Sequence, residues 1–374
     1  MHSLIAFMKN PVKSFFNQRL RVYFDDIDIA AENQEPFDLE KFALFGHGRQ
    51  MLDAGLSAQP ERRVEAVKKV ADQLLRTGQM PVNAFGKIAV GKLFDSVLEM
   101  VKFHDKLCLD WPSEADTVKI DLPISIKECG IKSLDGLIDN LHKRTWPDSA
   151  SPNNENETVH FHGKKEIQTL HHKEPLFARW EFYTGEIFDN KNGQFSRPDA
   201  LVSIWVKHLA GCAHGLNLTS CLISTNGVAA LSTLDTKTAI CLLNEVINHW
   251  WLAMRYPLPV TAKTAMAYLG GLNLTGENLE STDKDLDSSG ISYGFADAHE
   301  LSGFISENDS QKAEKNARIK YEGDGYNSDG ELGYSRYLQR VFPDFDSLWQ
   351  AENNRFVQLA IKLYLPILKH AKSY

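Results

Sequence analysis

Residues 176–183 read LFARWEFY, and this stretch alternates between two sets of side chains. One set is Leu176, Ala178, Trp180 and Phe182, and the other is Phe177, Arg179, Glu181 and Tyr183. A two-residue repeat is typical of a β-strand, because successive side chains point to opposite faces of a sheet. The stretch therefore predicts a strand that carries Arg179 and Glu181 on the same face.

Two further strands are predicted upstream. Residues 118–127 (VKIDLPISIK) alternate in the same way, and Pro123 on the polar side favours an edge strand because proline has no N–H to donate. After residues 128–130 (ECG), the segment 131–141 is predicted to fold back as a hairpin. The sequence thus predicts three strands in a row.

Helical patterns surround these strands. Residues 84–107 carry an apolar stripe at three- and four-residue steps, which predicts one long helix. A second helix is predicted between a capping box at Ser196 and Asp199, with Pro198 in its first turn, and a stop at Gly215. Downstream, residues 221–224 predict a strand, 236–255 a helix, and 356–364 a helix that ends at Pro366. This order predicts an α/β (α+β) fold with a central mixed sheet flanked by helices.

Composition excludes several classes of protein. With 43% hydrophobic and 24% charged residues, the chain is neither disordered, collagenous nor a disulfide-stapled miniprotein. Its 41 basic and 49 acidic residues give a net charge of −8, so any DNA binding must come from a local basic patch. The five cysteines form no CxxC pair, and we find no membrane-length apolar run or secretory signal, which favours a cytoplasmic protein without a membrane partner.

The first 24 residues form such a basic patch. They contain Lys9, Lys13, Arg19 and Arg21 and no acidic residue. These cations alternate with aromatic side chains, a mixture that can hold phosphates and stack bases, so the four residues are candidate DNA contacts. The alternative interpretation is an amphipathic helix whose aromatic residues are core and whose cations face solvent.

Other potential sites have ordinary interpretations. His160, His162, His171 and His172 lie close together in sequence, but their spacing does not close a tetrahedral zinc site and favours a polar hairpin. Residues 283–290 imitate a calcium loop but have Ser288 where the turn needs glycine, which indicates a solvated acidic loop. Trp250, Trp251 and Trp349 are expected in the core or at a subunit interface.

Five stretches, in the same order, resemble the C-terminal region of the RecC family, the gamma chain of exodeoxyribonuclease V. They are FMKNPVKSFFNQRLRV (7–22), EPF (35–37), LRTGQMPVNAFG (75–86), the helix at 200–213 that contains WVKHLAGCA, and 317–338 with ARIKYEGD and YSRYL. The resemblance implies a degenerate restriction-endonuclease-like core of the PD-(D/E)xK, RecB-nuclease type. It also implies one RecC C-terminal domain over residues 1–374, with a helical part (1–82), the nuclease-like core (83–230) and a mainly helical part (231–374).

In active nucleases of that type, an Asp and a following Asp-x-Lys pair hold the metal. The corresponding positions here are Asp139, Arg179 and Glu181. A fixed guanidinium repels a divalent ion, so neither catalytic nor metal-binding residues are expected. Arg179 could pair with Asp139 across the strands, whereas a contact between Arg179 and Glu181 is not expected.

The resemblance also implies partners. The chain would be a non-catalytic DNA-handling and scaffolding part of a RecBCD-like complex, binding RecB-like and RecD-like subunits and a duplex end or separated strands. No cofactor is expected: Asn10-Pro11 replaces the Cys-Pro pair that ligates an iron–sulfur cluster, and no phosphate-binding P-loop motif for ATP occurs. Two alternatives remain. One is an active nuclease in which Asp139, Glu181 and an acid such as Asp135 rebuild the site, and the other is a protein-interaction module without DNA contact.

Overall fold

The fold is mixed α and β around a central mixed sheet, as the sequence predicted. The computed structural model describes residues 1–24, 41–80, 83–123, 133–144, 159–161, 164–166, 175–189, 194–272, 306–325 and 329–374. The central sheet has six strands in the order β1-β4-β7-β8-β9-β10. These are β1 (Ser113–Ala115), β4 (Leu141–Arg144), β7 (Leu176–Tyr183), β8 (Asn217–Ser224), β9 (Gly227–Leu231) and β10 (Ala371–Ser373).

Strand β7 is the predicted 176–183 strand, and it lies inside the sheet. It runs antiparallel to β4, with Arg179 opposite Leu141, and parallel to β8, with Arg179 opposite Ser220. The last strand, β10, comes from the end of the chain and pairs antiparallel with β9. Because β7 has a neighbour on both sides, Arg179 is held in the interior of the sheet.

The predicted hairpin forms, but outside the central sheet. Strand β2 (Val118–Pro123) pairs antiparallel with β3 (Ser133–Ile138) in a separate two-stranded sheet, which places Pro123 in an edge strand. A further small hairpin joins β5 (Val159–Phe161) to β6 (Lys164–Glu166). Strands β2, β3 and β7 lie in the three predicted segments. The second segment is interrupted at Asn140, which takes a left-handed φ of 52°, and β4 rather than β3 lies beside β7.

Two hydrophobic cores cover the two faces of the central sheet. One packs Ala178, Trp180, Cys221 and Ile223 against α3 (Lys41–Ser57), α4 (Arg63–Arg76) and the long predicted helix, α5 (Asn83–Asp110). The other contains Leu218 and Leu222 and is built mainly by the remaining helices. These are α1 (His2–Lys9), α2 (Pro11–Ser14), α6 (Val202–Ala213), α7 (Thr236–Ala253), α8 (Ala262–Gly271), α9 (Glu307–Glu322), α10 (Gly330–Gly333), α11 (Arg336–Val341) and α12 (Phe345–His370). Within the described ranges, no helix is both long and apolar enough to cross a membrane.

The two ends of α6 compare differently with their predictions. A 3₁₀ turn (Pro198–Leu201) precedes α6, and the predicted capping box is absent because Asp199 instead accepts two hydrogen bonds of 3.0 Å from Arg197. The predicted stop at Gly215 is confirmed: its φ is 91°, and its N–H donates to the Cys212 carbonyl.

Helix α12 runs through Pro366 to His370 instead of ending there. A proline inside a helix removes a hydrogen bond, at about 3 kcal/mol. Leu363, Leu365 and Ile367 around it are buried in the core, and this packing keeps the helix continuous. The same helix is kinked where Glu352, Asn353 and Asn354 take left-handed φ values.

Candidate functional site

Asp139, Arg179 and Glu181, which the sequence singled out, lie together in one charged cluster. Arg179 projects from the middle of β7 with a side chain that is 1% exposed, whereas Asp139 follows β3 and is 54% exposed. Arg179 Nη2 lies 3.5 Å from Asp139 Oδ1 and donates a 2.7 Å hydrogen bond to Glu181 Oε1. The expectation that Arg179 and Glu181 would not touch was wrong, because residues two apart share one face of the strand and the long arginine side chain spans the gap.

Lys207 is the fourth member of this cluster, and the sequence analysis did not identify it. It projects from α6, and its Nζ lies 2.9 Å from Glu181 Oε1 and 3.7 Å from Asp139 Oδ1. The available signal was one lysine inside an otherwise largely apolar helix, VSIWVKHLAGCA. The charged cluster therefore comprises two acids and two bases and is neutral in sum.

The cluster perturbs the acidity of Glu181. Burial alone raises the pKa of this carboxyl, but the charges and hydrogen bonds of Arg179 and Lys207 outweigh burial and leave the pKa below its ordinary value. Glu181 is consequently ionised at neutral pH. Arg179 is less completely satisfied, because its buried Nε and Nη1 atoms have no hydrogen-bond partner among the described residues.

This arrangement is poorly suited to metal-dependent hydrolysis. Mg²⁺ requires several oxygen ligands, and in the part of the chain that the structure describes no group of three or more His, Cys, Asp or Glu residues could hold a metal. Asp135 was considered as a replacement ligand. Its carboxylate accepts a hydrogen bond from Ser133 Oγ, and its backbone carbonyl accepts a hydrogen bond from the Met1 ammonium. The ion pairs of the charged cluster connect β7 with the segment after β3 and with α6.

The four basic residues near the N terminus separate into different surroundings. Lys9 is exposed at the end of α1, and Lys13 Nζ lies 5.4 Å from the centre of the Tyr337 ring. Arg19 and Arg21 instead line an open groove of about 700 Å³ together with Trp250, Trp251 and Arg255 of α7 and its C-terminal end. We call this the arginine–tryptophan groove; it also includes Ser3, Gln18 and Met254.

The aromatic residues of the same segment are only partly core. Phe15 and Phe16 are half-buried, and the neighbouring Leu20 is 47% exposed. The two tryptophans are half-buried: they pack against the core and also line the groove. The pairing of these tryptophans with Arg19 and Arg21 joins positions about 230 residues apart and carries no local sequence signal.

The histidine group and the acidic loop, for which the sequence favoured a polar hairpin and a solvated loop, lie largely outside the described residues. His162, His171 and His172 and the acidic loop at 283–290 lie outside the described residues, and His160 is described only as part of β5.

Comparisons with known proteins agree with the resemblance. The family model of the RecC C-terminal domain matches residues 1–273 of the 374. The RecBCD enzyme subunit RecC of Haemophilus influenzae is 28% identical over 132 residues, which cover 32% of this chain and 11% of that protein. The match thus spans only about a tenth of the length of that relative. Since the family match covers well over half of the sequence, the chain belongs to the RecC C-terminal domain family.

Proposed function

We propose that this chain is a non-catalytic, DNA-handling and scaffolding part of a RecBCD-like exodeoxyribonuclease V complex in the cytoplasm. In this proposal RecB-like and RecD-like subunits supply ATP hydrolysis and strand cleavage, and the present chain binds them and helps to separate or guide DNA strands during repair and recombination. Membership in the RecC C-terminal domain family supports this role, and the matched relative is named as a subunit of the RecBCD enzyme.

The charged cluster is the observation that supports a non-catalytic role. Arg179 and Lys207 place two positive charges within 4 Å of Glu181 and Asp139, at the positions where a nuclease of this type would bind its metal. A divalent cation would have to displace both cations, one of which is buried in the sheet. These ion pairs favour a structural role for the cluster over metal-dependent hydrolysis of DNA.

We also propose that the core is a degenerate restriction-endonuclease-like fold. The order of a long helix (α5), strands, the Arg179-x-Glu181 pair on β7 and then helix α6 supports this assignment. In the same proposal, residues 1–82 and 231–374 are the helical additions around a core at 83–230.

The first test combines metal binding with nuclease activity. We expect calorimetry to give no heat of Mg²⁺ or Mn²⁺ binding, and linear single- and double-stranded DNA to remain uncut. Asp139→Ala should behave like the wild-type chain, and so should Asp95→Ala, which removes an exposed acid on α5 as the matched control. Metal-dependent cleavage that is lost in Asp139→Ala but kept in Asp95→Ala would establish an active nuclease instead.

The net charge of −8 favours a second candidate, a protein-interaction module without DNA contact. Replacing Lys9, Lys13, Arg19 and Arg21 together by glutamine separates the two. The DNA-handling proposal expects this variant to lose salt-dependent DNA affinity and to retain co-purification with RecB-like and RecD-like subunits. No DNA affinity in the wild-type chain, with partner binding intact, would support the interaction module.

A further inference from the structure

The arginine–tryptophan groove combines cations and aromatic rings in one open site. Arg19, Arg21 and Arg255 lie around it, and Trp250 and Trp251 form part of its wall. All three arginines are exposed. On a protein with a net charge of −8, the guanidinium groups of Arg19 and Arg21 at one groove form a local positive patch, which attracts an anionic ligand.

The backbone that presents two of these arginines is unusual. Residues Phe15–Leu20 form a π-helix, a conformation that is rare and occurs frequently at functional sites. Arg21 follows in the left-handed region with φ 58° and ψ 29°, which is unfavourable for a residue with a Cβ. The Val22 N–H donates a 3.0 Å hydrogen bond to the Phe16 carbonyl and closes this turn. The chain thus keeps an unfavourable conformation at the point where Arg19 and Arg21 reach the groove.

Gln18 holds one tryptophan in place. Its Oε1 accepts a 3.1 Å hydrogen bond from Trp250 Nε1, and its Nε2 donates to the Ser3 carbonyl. Trp251 is held differently: its buried Nε1 has no hydrogen-bond partner within the described ranges, and the Arg255 guanidinium lies 5.6 Å from its ring centre. One ring is therefore fixed by the π-helix, and the neighbouring ring is not restrained by a hydrogen bond.

The charges of Arg19 and Arg21 are not used within the described structure. Neither side chain has an ion-pair partner among the described residues, in contrast to Arg179 in the charged cluster. Unpaired guanidinium groups beside indole rings match the two halves of a nucleotide, because the cation binds the phosphate and the ring stacks on the base. A duplex fits less well, since its bases are already stacked on one another.

We propose that the arginine–tryptophan groove binds a segment of single-stranded DNA, with phosphates on Arg19 and Arg21 and a base stacked on Trp250 or Trp251. This inference rests on the proposed DNA-handling function and gives that function a location. An acidic peptide would also be attracted by the arginines, but it carries no bases that would stack on the two adjacent indole rings.

The test is fluorescence anisotropy with labelled oligo-deoxythymidine of about 16 nucleotides, within the range of sites known for single-stranded DNA. Trp251→Leu retains apolar volume against the core but removes the stacking face, and we expect about tenfold weaker binding. Arg19→Gln with Arg21→Gln should reduce the slope of log affinity against log salt by about 1.4, because each phosphate contact to a single strand contributes about 0.7. Thermal unfolding of each variant checks that the fold is kept.

Matched controls lie on α5, which does not line the groove. Lys87→Gln with Lys92→Gln makes the same change in net charge, and Phe85→Ala removes an aromatic side chain that is 62% exposed. Both controls should leave affinity and salt slope unchanged, and a duplex of the same length should bind more weakly than the single strand.

Three results would overturn the inference, and they differ in what they say about the proposed function. Wild-type binding that the groove variants retain in full would move the single-strand site elsewhere and leave DNA handling standing. No binding of single-stranded DNA by the folded wild-type chain would contradict both the inference and its DNA-handling basis. Groove variants that lose a RecB-like or RecD-like subunit while DNA binding is unchanged would make the groove a protein contact.

Discussion

Arg179 and Arg21 show two opposite uses of the same side chain. The Arg179 side chain is 1% exposed and lies within ion-pair distance of Glu181 and Asp139, whereas Arg21 is exposed and has no acidic partner among the described residues. A buried charge has to be compensated by the protein itself, because water cannot solvate it. An exposed charge needs no compensation and remains available to a ligand. The charged cluster therefore compensates its own charges, whereas the charges of Arg19 and Arg21 in the arginine–tryptophan groove have no ion-pair partner among the described residues.

The first prediction concerns the carboxylate that compensates the buried positive charge of Arg179. Glu181→Leu leaves the buried Arg179 guanidinium without its 2.7 Å partner, and we expect the free energy of unfolding to fall by about 3–5 kcal/mol. Urea unfolding at neutral pH measures this loss. The double variant Arg179→Met with Glu181→Leu should recover most of it, because a buried ion pair can be replaced by apolar side chains of similar size.

A surface ion pair gives the control for that experiment. Lys102 and Glu99 lie 2.6 Å apart with side chains 69% and 50% exposed, so Glu99→Leu should change stability by less than about 1 kcal/mol. If Glu181→Leu were as mild as Glu99→Leu, Arg179 would be solvated and the distinction between the two regions would be lost.

The second prediction concerns Lys207 and acid. Lys207→Met removes the 2.9 Å hydrogen bond to Glu181 and should lower stability by about 1–2 kcal/mol at neutral pH. Because Arg179 and Lys207 hold the pKa of Glu181 below its ordinary value, Glu181 stabilises the fold above the pKa of the unfolded chain. That stability is lost as the pH falls through the lowered pKa of the folded state. The loss between pH 6 and about pH 3 should be smaller in Lys207→Met than in wild type.

Urea unfolding over this pH range measures the difference. Burial also lowers the pKa of His208 to about 3, but this residue is present in both proteins and its contribution cancels in the comparison. Identical acid losses in the two proteins would show that Lys207 does not act on Glu181.

The third prediction separates conformation from charge at the groove. Arg21→Gly removes the unfavourable left-handed φ, and we expect stability to be unchanged or to rise by up to about 1 kcal/mol. Arg19→Gly lies inside the π-helix, where glycine should lower stability by about 1 kcal/mol. Both remove one cation from the groove and should weaken single-strand binding similarly. Thermal unfolding and anisotropy measure the two quantities, and equal destabilisation by both variants would show that the backbone at Arg21 is not strained.

Part of the charged cluster was predictable from local pattern. The alternation in LFARWEFY placed Arg179 and Glu181 on one face of a strand, and the resemblance to nucleases pointed to Asp139. Lys207 was missed because it reaches Glu181 from a helix 26 residues away, a distance over which periodicity carries no information. The break at Asn140 was missed as well, because a single left-handed residue hardly changes an alternating pattern.

Local sequence was sufficient to predict the order of strands and helices, the basic patch near the N terminus and the arginine at the position where a nuclease of this type has its second metal-binding carboxylate. These are properties of neighbouring residues, and local periodicity and charge are sufficient to set them. Contacts between distant parts of the chain set which charges are compensated and which have no ion-pair partner among the described residues. The tertiary structure brings Lys207 to Glu181, and Trp250 and Trp251 to Arg19 and Arg21 from opposite parts of the chain. Burial and ion pairing depend on such long-range contacts, because they are set by what packs over a side chain and not by its neighbours in sequence.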